Sequence, residues 1–122
     1  LVQTVAQEFA MISHVLLIAL ASASSGPPPN PNAERQALSH CLSALVKADL
    51  KVKTAADAFE AKANAACMAE ETAFRAKSIA ADRAVGIRPA DAEQNAKSEI
   101  ADIRQNALEQ YKDYLESNTL PR

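Results

Sequence analysis

The sequence predicts an all-α protein, a three-helix antiparallel bundle with one disulfide clamping its first hairpin. Three observations carry this. Alanine supplies 27 of the 122 residues and glycine only two, and alanine is the strongest helix former while glycine is among the weakest. Apolar residues recur at intervals of three and four in three successive stretches, which is the spacing of one helix face. The two cysteines stand symmetrically about a reversal, Cys41 thirteen residues before Thr54 and Cys67 thirteen after it. Folding the chain back at Thr54 brings the two sulfurs to the same height on neighbouring helices.

The length bounds the chain to one domain at most. Four segments are expected: an apolar leader over 1–23, a proline-rich linker over 24–32, a helical domain over 33–118 and a tail over 119–122. In the leader, residues 9–23 read FAMISHVLLIALASA, and the unbroken apolar centre, Val15 to Ala21, is short. A membrane span needs about 20 apolar residues, so the stretch fits a secretory signal better. Ala21-Ser22-Ala23 has the small-x-small pattern that signal peptidase accepts, which predicts cleavage between Ala23 and Ser24. No Lys or Arg precedes it. Either Met11 is the true start, or Leu1 is a literal translation of a non-standard start codon. An uncleaved anchor and an amphipathic helix packed on the domain are the competing readings. Residues 24–31 read SSGPPPNP, and three prolines in a row cannot continue a helix.

The first helix is expected over about 33–53, with Asn32 as N-cap. Its face is Leu38, Cys41, Leu42, Leu45 and Val46, extended by Asp49 and Leu50, and Lys47, Lys51 and Lys53 suit its negative pole. The second is expected over about 55–85. Thr54 and Asp57 resemble a capping box, and the stripe runs Phe59, Ala63, Ala66, Cys67, Glu70, Phe74, Ala81 and Ala84. Gly86 fits the left-handed position that ends helices, with Ile87 beyond it. The third is expected over about 89–117. Pro89 suits a first helical position, and the stripe is Ala92, Ala96, Ile100, Ile103, Ala107, Tyr111, Tyr114 and Leu115. Phe74 and Ile100 should meet across the second hairpin.

Little here points to chemistry. The net charge is −2, with basic residues spread among acids and no aromatic platform, so nucleic-acid binding is not expected. The cysteines are 26 positions apart, which is no C-x-x-C motif; a structural disulfide is the better reading and implies an oxidising compartment. His14 and His40 have no second ligand in a zinc spacing, so neither a metal nor another cofactor is expected. No nucleophile with a base and no paired carboxylates in a cleft can be picked out, so the chain reads as no enzyme. Glu70 lies within the stripe beside the disulfide, with Arg104 or Lys47 as candidate partners. Glu93, Gln94, Lys97, Glu99, Arg104 and Glu109 read as a solvated face. Ala61, Ala65, Met68 and Ile79 form a second apolar strip, which a two-sided middle helix or a dimer interface would explain.

Cys41 and Cys67, the run Glu71-Thr72-Ala73-Phe74-Arg75, and Ala92-Glu93-Gln94 ahead of Tyr111 and Tyr114 together carry a resemblance. The stretch from Cys41 to Tyr114 resembles small exported helical proteins of Gram-negative bacteria, chiefly alphaproteobacteria, of uncharacterised function. The resemblance implies a periplasmic address and gives no functional residues. The L-T-x-x-Q signature of helical periplasmic stress chaperones and metal sensors is not found here.

The expected function is that of a periplasmic or secreted, non-catalytic protein that acts through contact with an envelope protein or by self-association. Met68, Ile79, Tyr111 and Tyr114 form the expected interface, and a membrane is involved only if the leader is uncleaved. A carrier or sensor for a small apolar ligand is the alternative, and a membrane-anchored subunit is a third.

Overall fold

The computed structural model describes residues 26–122. The leader, the Ala23–Ser24 cleavage site and the question of a membrane anchor lie outside the described residues. Four helices follow in order: α1 (Asn32–Val52), α2 (Ala56–Ala65), α3 (Met68–Ala84) and α4 (Pro89–Ser117). The all-helical expectation therefore holds among the described residues, and Cys41 is bonded to Cys67 across 26 positions, with Cα atoms 6.0 Å apart.

The number of helices differs from expectation. The single helix over 55–85 is two helices, because Ala66 is extended (φ −84, ψ 164) and Cys67 is left-handed (φ 61, ψ 34). Helices α1, α3 and α4 pack on one another, while α2 lies mainly against α4. The joint between α2 and α3 turns the chain without a Gly or Pro.

The other ends are locally encoded. After α1, α3 and α4 the chain closes with the same pair of backbone bonds. Thr54 N–H donates to Asp49 O at 3.2 Å, Ile87 N–H to Asp82 O at 3.0 Å and Thr119 N–H to Tyr114 O at 3.2 Å. The left-handed residues in these closures are Lys53, Gly86 and Asn118; each satisfies carbonyls that the helix end would leave orphaned. Pro89 is the first residue of α4 as expected. The caps at the other starts differ from expectation. Asn32 opens α1 from within, and Asn30 Oδ1 accepts its N–H at 3.0 Å. No capping box forms at Thr54, because α2 begins at Ala56 and the Thr54 hydroxyl is bonded to Asp49 instead.

The core is small and continuous. Leu38, Leu42, Val46 and Leu50 of α1 enter it with Phe59 and Ala63 of α2, Phe74 of α3, and Ile100, Ala107, Leu108 and Tyr111 of α4. Phe74 and Ile100 both lie in this cluster, on the packed pair α3 and α4. The Phe59 and Tyr111 rings stack with centroids 3.8 Å apart and planes 9° from parallel, an arrangement that adds to burial. The tyrosine hydroxyl donates to Thr54 O, so α4 also holds the turn between α1 and α2.

Candidate functional site

The densest chemistry lies at the joint between α2 and α3. Arg104 was expected on the solvated face of the last helix. It is instead buried, and it spans the joint. Its Nη1 donates to Ala63 O, and Nη2 donates to Ala66 O at 2.9 Å. These are carbonyls of the last turn of α2, where a cation is favoured. The same guanidinium makes a two-pronged pair with Glu71 in the first turn of α3, Nε donating to Oε2 at 3.0 Å. Glu71 also accepts from Arg75 Nη2 at 3.1 Å. Burial pushes the Glu71 carboxyl up, but the bonds from Arg104 and Arg75 outweigh it and hold the group below its ordinary value. One side chain from α4 thus closes the end of α2 and fixes the start of α3.

The disulfide pins the joint from the other helix. Cys67 is the N-cap of α3 and Cys41 lies mid-way along α1, both half-buried. Glu70 stands one turn further on. Its expected partners do not take it: Arg104 is committed to Glu71. The Glu70 carboxylate and both sulfurs lie within 4.8 Å of one another. Met68, beside Cys67, is 53% exposed, and its Sδ is 3.9 Å from Arg104 Nη2.

The other interface candidates are distributed differently. Ile79 is half-buried and Tyr114 is half-buried. Tyr111 is fully buried in the core and offers no surface. Ala61 and Ala65 are exposed.

An open groove of about 430 Å³ runs beside the joint, lined among others by Glu60, Asn64, Glu71, Arg75, Lys97 and Arg104. A smaller hollow of about 240 Å³ lies where α1 and α4 end, with Leu50, Tyr114, Leu115 and Leu120 on its apolar side and Lys51 and Lys53 at its edge. A second polar cluster, around the buried Asp49, serves the fold. Asp49 accepts from Lys62 Nζ at 2.6 Å and from the Thr54 hydroxyl at 2.5 Å. Those bonds, Lys62 first, hold its carboxyl below its ordinary value.

Sequence reasoning offered Arg104 as a partner for Glu70 but missed Glu71, the acid it meets, and missed Asp49 as the centre of the second cluster. A signal existed for Arg104, which falls one position after Ile103 and four after Ile100, on the margin of the apolar stripe. Comparison of the chain with protein-family models, with curated proteins and with solved structures finds no match in any of the three. Among the described residues, no helix is long and apolar enough to cross a membrane.

Proposed function

We propose that the protein is exported and non-catalytic, and that it works by docking a protein partner in the cell envelope through the surface around Met68. The observation that carries the docking reading is the setting of Met68. It is a half-exposed methionine whose Sδ lies 3.9 Å from Arg104, a residue that lines the charged groove, and its backbone is held by a disulfide and by Arg104. Methionine adapts to varied apolar partners, and a surface fixed before binding loses little conformational freedom on association. The disulfide supports the exported address, since such bonds persist in oxidising compartments.

A photo-reactive residue in place of exposed Ala65 tests the contact in cells of the native host. It should give one discrete adduct, and Met68→Glu in the same chain should abolish it; an adduct of twice the chain mass would mean self-association. Identical adducts with and without Met68→Glu would sink the reading. The address is tested by intact mass: mature protein should begin at Ser24 and gain two hydrogens on reduction.

The alternative, a carrier for a small apolar ligand, has one observation in its favour, the hollow beside Leu50, Tyr114, Leu115 and Leu120. Displacement of an environment-sensitive apolar dye from wild type, unchanged in Leu115→Ser, would remove it.

A further inference from the structure

We propose that Cys41, Cys67 and Glu70 form a binding site for a thiophilic divalent cation of the zinc type once the disulfide is reduced. The sequence places Glu70 beside the disulfide, but the cysteines stand in no zinc spacing. The fold supplies what the spacing lacks. Cys41 comes from α1, Cys67 from the joint and Glu70 from the first turn of α3, and their donor atoms all lie within 4.8 Å of one another.

Three features suit this set to a cation. A tetrahedral zinc holds two sulfurs about 3.8 Å apart, and a sulfur and an oxygen about 3.5 Å apart, from its usual bond lengths. With the cysteine Cα atoms 6.0 Å apart, side-chain rotation alone can open the sulfurs to that spacing. Next, Cys67 caps the 17-residue α3 and Glu70 lies in its first turn, where the positive end of the helix dipole favours a thiolate and a carboxylate. Finally, Glu70 is half-buried and has no ion pair among the described residues, since Arg104 is held by Glu71. Two thiolates and a carboxylate at such range repel one another, and a doubly charged cation offsets that repulsion. Both cysteines are half-buried, so water can complete a fourth position.

The bond must open first. A dithiol reductant supplies the two electrons: its two S–H bonds are exchanged for a disulfide of its own, and Cys41 and Cys67 each gain a hydrogen. Cation binding then releases those two protons to solvent. With the disulfide closed there is no thiolate and no site, so in an oxidising compartment the cation binds only after reduction.

The test compares the oxidised chain with the chain reduced by a phosphine and freed of it without air. The reduced chain should take up one Zn²⁺ and the oxidised chain none. With Co²⁺ it should show a sulfur-to-cobalt charge-transfer absorption. Glu70→Gln should keep both thiols and weaken Zn²⁺ binding about tenfold or more, as loss of a ligand must exceed loss of a supporting contact. Three results would overturn the site: no stoichiometric uptake by the reduced chain, equal affinity in Glu70→Gln, or loss of helix on reduction that Zn²⁺ does not restore.

Discussion

Helices α2 and α3 end by opposite means. After α3 the chain turns on Gly86, at φ 88, where a side chain would meet nothing within 4 Å, and Pro89 starts the next helix. Every part of that turn is supplied by neighbours in sequence. After α2 the chain turns on Cys67, at φ 61, although an L-residue pays about 1–2 kcal/mol for that conformation. The parts that hold it come from 26 residues upstream, in Cys41, and from 38 residues downstream, in the bond from Arg104 to Ala66. The first turn should form in an isolated segment. The second exists only once α1 and α4 are in place.

Removing the covalent part should have the largest effect. Cys41→Ser with Cys67→Ser opens a loop whose closure stabilises the fold by about 3.5 kcal/mol in the chain-entropy model, which urea unfolding would read as a large drop in midpoint. Arg104→Met should cost about 3 kcal/mol, because it strands a mostly buried Glu71 and two helix-end carbonyls. The loss should concentrate at the joint, seen as faster amide exchange over 66–72 with little change at Gly86.

Acid should act on the joint through Glu71 and on the α1–α2 turn through Asp49. Glu71 and Asp49 are held below their ordinary values of 4.5 and 3.8. The stability they contribute is therefore fully present above about pH 5 and is lost as pH falls through those ordinary values and below them. Glu71→Gln should flatten part of that acid slope, measured as urea midpoint against pH.

The smallest effects discriminate best. In the Cys41→Ser background, Cys67→Gly should be more stable than Cys67→Ala by about 1 kcal/mol if the left-handed joint persists. The order should reverse by a similar amount if α2 and α3 fuse into one helix, since alanine then has the better propensity. Gly86→Ala should cost about 1 kcal/mol in any background, because its cause is local.

The contrast also explains what could be read from the residues alone. The faces of α1 and α4, the Gly86 stop, the Pro89 start and the Cys41–Cys67 pairing were legible because periodicity, turn chemistry and spacing are local or nearly so. The joint was not. From Phe59 to Phe74 there is no glycine or proline, and the stripe passes through Ala66 and Cys67 at helical spacing, so every nearby signal favours an unbroken helix. The partners of the joint are set by tertiary placement: which acid Arg104 meets, Glu71 rather than Glu70, depends on how α4 crosses the break. Asp49 carried the same ambiguity. It sits on an apolar stripe, and only the fold brings it Lys62 and Thr54.

The bond between Cys41 and Cys67 also sets how the chain would bear tension. A pull on Gly26 and Arg122 passes straight from α1 into α3 through the sulfurs, across the 26-position separation. The second half of α1, the turn after it and all of α2 carry no load. That hidden length is about 85 Å at some 3.5 Å per residue less the bridged gap, and it becomes extensible only when the sulfurs part.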